Sequence, residues 1–141
     1  MPQAMAIEIQ KQCETIEECY EFTLSFAARG LLTDEGSGLR ERLTRSAETL
    51  RGLAQSCAET AHEEALEPAA KYEAFFTVLR RDAESALAAM ELVLAQPAIS
   101  SQLVDTLNAS IHLRALLADL FLLTEILDAR QASAKAAAVH G

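Results

Sequence analysis

The sequence has no tryptophan and contains few residues that break helices: five glycines and three prolines among 141 residues. Aromatic residues make up 5% of the chain, whereas 50% of it is apolar, with alanine and leucine dominant. Residues branched at Cβ, which favour strands, are sparse. This composition argues against a sheet protein and predicts an all-α fold, and the length indicates one domain.

Basic residues are also scarce. The chain has 12 lysines and arginines but 21 aspartates and glutamates, which gives a formal charge of −9. Such a balance disfavours both a broad nucleic-acid footprint and an anionic membrane surface. Cys13, Cys19 and Cys57 are odd in number and lack CxxC spacing, so we interpret them as reduced core residues. No stretch resembles a secretory signal or a membrane span. We therefore expect a cytoplasmic protein without a membrane partner.

Apolar residues recur at steps of three and four in four segments, as they do on one face of an α-helix. The segments run from about residue 6 to 29, from 37 to 64, from just after Pro68 to about 96, and from 100 to 129. Short connections make consecutive helices antiparallel neighbours. We predict an up-down-up-down antiparallel four-helix bundle over residues 1–130. Residues 131–141 form an alanine-rich, flexible C-terminal tail with little to bury.

The last predicted helix carries two apolar stripes. A heptad seam consists of Leu113, Leu116, Leu120, Leu123 and Leu127. A second stripe consists of Val104, Leu107, Ile111, Ala118 and Leu122. One stripe is enough to pack against the chain's own core, and the other then requires a partner. We assign the heptad leucines to an oligomer interface and predict a homo-oligomer, with a ring as one form of it.

Four arginines lie close together on the second predicted helix: Arg40, Arg42, Arg45 and Arg51. They have two interpretations, contact with phosphate or pairing with glutamates of a neighbouring helix or subunit. Because the four do not share one helical stripe, we favour pairing.

One short motif, Glu59-x-x-His62, has the spacing that di-iron bundles use. Those proteins need two such pairs and two further glutamates, but the residue three before His112 is Ala109. A cysteine nucleophile is also disfavoured, because Cys57 and His62 diverge by about 140° around a helix. We therefore predict no catalytic residue, no metal and no cofactor, with Glu59 and His62 as weak metal candidates.

Three stretches carry a family resemblance: Tyr20–Leu24, Gly38–Leu50 after a glycine-containing loop, and Phe75–Leu87. Together they resemble the four-helix-bundle family of the 23S rRNA intervening-sequence proteins. The positions that match its second-helix pattern are Leu39, Leu43, Arg45, Ala47, Thr49 and Leu50. The resemblance implies a ring-forming, often pentameric bundle. Related retroelement accessory proteins are basic and bind nucleic acid, whereas this chain is acidic.

These observations predict a non-enzymatic, homo-oligomeric helical bundle that acts as a scaffold or adaptor for another macromolecule. Two alternatives stay open. One is a nucleic-acid-associated accessory protein of the intervening-sequence type. The other is a metal- or small-ligand-binding bundle that uses Glu59 and His62.

Overall fold

The computed structural model describes the backbone of residues 2–63 and 66–140, and the side chains of residues 7–53, 55–57, 59 and 66–137. Within these ranges the chain is helical and has no strand, which confirms the all-α prediction. There are five helices: α1 (Pro2–Ala28), α2 (Leu39–Glu63), α3 (Ala69–Leu94), α4 (Ser101–Ala109) and α5 (Ile111–His140).

The fourth predicted helix is divided in two at Ser110. This residue has φ −58° and ψ 134°, outside the helical region, and its N–H donates to the carbonyl of Leu107. The Ser110 hydroxyl accepts a hydrogen bond from the N–H of His112 at 3.2 Å, so it satisfies a free donor at the start of α5. The prediction of one continuous helix was therefore wrong, because Ser110 ends one helix and caps the next.

Two residues, Gly30 and Ser100, mark helix ends next to the connecting loops. Gly30 has φ +66°, the left-handed conformation that accommodates glycine without a Cβ clash, and it follows the end of α1. Ser100 precedes α4, and its hydroxyl accepts a hydrogen bond from the N–H of Leu103 at 3.1 Å. These local interactions fix where the connecting loops begin and end.

The helices pack in a definite set of pairs. α2 contacts both α1 and α3, α4 lies mainly against α1, and α5 lies mainly against α3. The break at Ser110 thus coincides with a change of neighbour along the last part of the chain. All five helices contribute side chains to one apolar cluster, which also includes Leu66 and Ile99 from the loops.

The loop after α1 and the loop after α3 are connected by buried polar groups at one end of the molecule. The hydroxyl of Ser101 donates to the carbonyl of Phe26 at 2.6 Å and accepts from the N–H of Leu31 at 2.8 Å. The N–H of Ser101 donates to the carbonyl of Leu31 at 2.8 Å. Ser101 is 2% exposed, so water cannot replace these bonds.

Asp34 and Arg40 make a second connection between the same loops. The Asp34 carboxylate accepts from the N–H of Ile99 at 2.9 Å and from Arg40 Nε at 2.8 Å. Arg40 also donates to the carbonyl of Leu94 at 2.9 Å and to that of Gln96, beside the end of α3. Burial alone would raise the pKa of Asp34, but the bonds from Ile99 and Arg40 and the positive charge of Arg40 lower it below its usual value.

The C-terminal part of the chain stays helical beyond the predicted end near Ala129, because α5 continues to His140. The side chains from Ala132 to Ala137 are exposed, so no packing holds this segment. Fraying of residues 131–141 therefore stays a prediction. Among the described helices, none combines the length and apolar character needed to cross a bilayer.

We expect Ser101→Ala to lower the free energy of unfolding by about 1–3 kcal/mol, because it removes the hydroxyl acceptor of the Leu31 N–H and one of the two hydrogen bonds to the carbonyl of Phe26, which keeps only that from the N–H of Arg29. Chemical denaturation followed by circular dichroism measures the change. Ser25→Ala, at an exposed position of α1, is the control and is expected to shift stability by no more than about 0.5 kcal/mol. Equal effects of the two substitutions would contradict the role assigned to Ser101.

Candidate functional site

The five leucines predicted as an oligomer interface lie inside the chain's own core. Their exposed fractions are at most 4%, and Leu116 and Leu120 are fully buried. All of them except Leu123, which also lines the groove described below, therefore have no access to a second copy while the fold stays closed, and this argues against the set as the oligomer interface. The set is Leu113, Leu116, Leu120, Leu123 and Leu127.

The other apolar stripe is divided by the helix break. Val104 and Leu107, before Ser110, are buried, whereas Ile111 and Leu122 after it are 75% and 49% exposed. The conformation of Ser110 reorients the helix axis, so the two halves of the stripe do not share one environment. Phe121 and Ile126 add further exposed apolar area to α5, at 51% and 37%.

An apolar groove runs between this exposed side of α5 and α3. Its volume is about 300 Å³, and its lining consists of Lys71, Tyr72, Phe75, Leu122, Leu123 and Ile126. Val78 belongs to the same α3 stripe as Phe75, three residues on, and is 47% exposed. We call these seven residues together the α3–α5 surface. An exposed apolar groove of this kind is a candidate interaction site.

Sequence reasoning missed the α3 half of this surface. Tyr72, Phe75, Phe76 and Leu79 have the helical spacing of a single core stripe, but Phe75 is only partly buried, whereas Phe76 is 8% exposed. The sequence signal for the α3 half was the width of the apolar stripe on α3, which exceeds that of a single row of core residues. Lys71, Phe75 and Val78 recur at steps of four and three, which defines a second line of residues beside the core.

Two aspartates meet across α3 and α5 on the same stripes. Asp82 follows Val78 by four residues, and Asp119 precedes Leu122 by three. Burial raises the pKa of Asp119 to about 7, and hydrogen bonding with Asp82 and repulsion from its charge act in the same direction. Oδ2 of Asp119 is buried and receives no hydrogen bond from the described residues. The pair is thus a strained acidic group at the edge of an apolar surface.

The arginines of α2 contact the chain itself. Arg40 pairs with Asp34, Arg51 Nη2 lies 3.1 Å from Glu91 Oε1, and the Arg42 guanidinium lies 4.6 Å from the centre of the Phe22 ring. Arg45 is exposed and lines a cavity of about 40 Å³ beside Arg42. Intrachain contacts therefore engage three of the four, but only Arg51 pairs with a glutamate of a neighbouring helix, so the choice between pairing and phosphate contact stays a prediction.

The weak metal candidates are not brought into a ligand set within the described part of the chain. Glu59 is exposed and accepts a hydrogen bond from Gln55 at 2.9 Å, while the side chain of His62 lies outside the described residues. Among the side chains that the structure describes, no three histidines, cysteines or acids cluster in a metal-binding arrangement.

Burial, with repulsion from Glu14 and Glu21, raises the pKa of Glu17 on α1.

The three cysteines are buried free thiols. Burial raises the pKa of Cys13 to about 11 and that of Cys57 to about 12, and it also raises the pKa of Cys19. Because the thiolate is the nucleophilic form, these side chains are unreactive at neutral pH. This agrees with their interpretation as core residues.

A second, interior cavity lies where the helices meet and has a volume of about 10 Å³. Thr23 and Asn108 form a hydrogen bond of 3.0 Å beside it, and Ser46 Oγ and Asn108 Nδ2 have no partner within the described part of the chain. The space matches one water molecule and is too small for a metabolite. The α3–α5 surface is therefore the stronger candidate site.

Comparison of the chain with protein-family models, with curated proteins and with solved structures finds no match. The resemblance to the intervening-sequence proteins accordingly stays a prediction.

Leu120 and Leu122 provide a matched test of which side of α5 is the core. We expect Leu120→Ala to lower the free energy of unfolding by about 2–5 kcal/mol, because it leaves a cavity around a fully buried position. Leu122→Ala, at a position 49% exposed, is expected to cost less than about 1 kcal/mol. Urea denaturation of both variants gives the values, and the reverse order would contradict the described core.

We expect Asp119→Asn to change how stability depends on pH. The pKa of Asp119 is 3.8 when unperturbed and about 7 in the fold, so between these values the folded chain binds the proton more tightly. The free energy of unfolding therefore falls as pH rises from about 4 to 7. The variant, which cannot ionise, should melt at a higher temperature than the wild type at pH 8 and at nearly the same temperature at pH 5.

The control for this experiment is Asp105→Asn, which removes an exposed carboxylate from α4. Thermal melting at four or five pH values compares the three proteins. A wild-type profile that runs parallel to that of Asp119→Asn over this range would rule out the strained acidic pair.

Proposed function

We propose that this protein is a non-enzymatic helical scaffold that self-associates through the α3–α5 surface and in that form carries another macromolecule. The observation that supports the proposal is the open groove between α3 and α5, lined by apolar side chains of both helices. The unreactive thiols and the lack of a clustered metal-ligand set among the described side chains favour a binding role over a catalytic one.

Energetics favour covering this surface. Phe75, Val78, Leu122 and Ile126 leave apolar area in contact with water, and burial of such area stabilises a complex by about 25 cal/mol per Å². Both sides of the groove are helices of the packed core, so the surface is preformed and loses little conformational freedom on binding. A rigid apolar surface suits a partner that is itself a helix pair.

We further propose that the chain forms an up-down-up-down bundle in which α4 and α5 together take the fourth position. Contacts of Gln12 with Ser56 and of Cys19 with Arg42 support an antiparallel α1–α2 pair. Thr23 pairs with Asn108 of α4, and Gln10 pairs with Asp128 of α5. Residues with higher numbers in α4 and α5 thus pair with residues of lower number in α1, as an antiparallel arrangement requires.

Self-association is tested by measuring the molar mass of the purified protein over a range of concentrations, by light scattering and sedimentation velocity. We expect the wild type to exceed the monomer mass at micromolar concentration and Leu122→Glu to be monomeric, because the substitution places a charge in the apolar groove. Circular dichroism should show that this variant keeps its helical content, since Leu122 is 49% exposed.

Leu24→Glu is the matched control, because Leu24 is 46% exposed but lies on α1, outside the α3–α5 surface. It should associate as the wild type does. A wild type that is monomeric at all concentrations would refute self-association, and dissociation by Leu24→Glu alone would refute the assignment to α3 and α5.

A further inference from the structure

The charges of the α3–α5 surface are separated along its length. Lys71 is exposed and lines one end of the groove. Asp82 and Asp119 interact with each other beyond the lining residues, in the direction away from Lys71 along α3. Along α3, Lys71 and Asp82 are eleven residues apart, which corresponds to about 16 Å at the rise of an α-helix. Apolar side chains, including Phe75 and Val78, occupy the interval between them.

This order of charges is self-complementary under a two-fold rotation. A two-fold interface uses the same surface on both copies, so that if residue i contacts residue j of the partner, j also contacts i. An axis that passes between Phe75 and Val78 exchanges the two ends of the groove. It brings Lys71 of each copy towards the acidic pair of the other and places apolar side chains against each other in between.

A parallel arrangement of the two surfaces has the opposite consequence. It would place lysine beside lysine and two pairs of aspartates beside each other, and such contacts between like charges oppose association. Each copy already carries a formal charge of −9, so two copies repel one another at long range. Association then depends on local pairing of opposite charges within the contact.

We propose that two copies of this chain associate as an antiparallel two-fold dimer through the α3–α5 surface, with Lys71 of each copy paired with Asp82 and Asp119 of the other. The proposal rests on the self-association proposed above and specifies its geometry.

Charge reversal tests this geometry. We expect Lys71→Glu and Asp82→Lys each to weaken the dimer by at least about tenfold in dissociation constant, because each creates two contacts between like charges per dimer. An equimolar mixture of the two variants should recover dimers. In the mixed pair the introduced glutamate of one copy would face the introduced lysine of the other, and the second contact would be that of the wild type. Sedimentation velocity, with one variant fluorescently labelled, measures the dissociation constant of each variant and the amount of mixed dimer.

Lys11→Glu is the control, because it changes the net charge by the same amount at an exposed position of α1. It should weaken the dimer by much less than Lys71→Glu. Raising the salt concentration should reduce the difference between these two variants, as expected when charge pairing causes it.

The results separate the two proposals. A wild type that dimerises, with Lys71→Glu and Lys11→Glu weakening it equally, overturns the antiparallel geometry and leaves self-association in place. Failure of the mixed variants to form dimers overturns it as well. A wild type that is monomeric overturns both proposals.

Discussion

Packing of the α5 leucines against the rest of the chain is the interaction on which the remainder of the structure depends. Leu116, Leu120 and Leu123 are almost fully enclosed, so this side of α5 has a fixed direction towards the core. A helix can direct only one side inward, and the apolar residues on its other side are consequently left at the surface. Leu122 and Ile126 form the α5 half of the groove for this reason.

A few polar residues determine where α5 begins and which helix it packs against. Ser110 ends α4 and caps α5, and the chain changes its main neighbour from α1 to α3 across this break. At the start of the same segment, Ser101 holds α4 against the end of α1 and the loop that follows it by three hydrogen bonds, to Phe26 and Leu31. Few polar groups thus determine which part of a long apolar sequence becomes core and which becomes surface.

The sequence is sufficient to predict the helical class, the core stripes of α1 and α2 and the capping roles of Ser100 and Gly30. These features depend on local spacing and local hydrogen bonds. The choice between the two stripes of α5 could not. Both stripes have helical periodicity, and the choice depends on the bend at Ser110 and on which neighbour α5 meets. For the same reason Phe75 could not be distinguished from Phe76, since only the position of α5 leaves one of them partly exposed.

Hydroxyl-radical footprinting of the wild-type protein, read by mass spectrometry, distinguishes the core side of α5 from its exposed side. In dilute solution Phe121, Leu122 and Ile126 should be oxidised readily, whereas Leu116 and Leu120 should remain unmodified. As the protein concentration rises, the account predicts that Leu122 and Ile126 become protected. Oxidation of Leu116 and Leu120 at rates equal to that of Leu122 would contradict it.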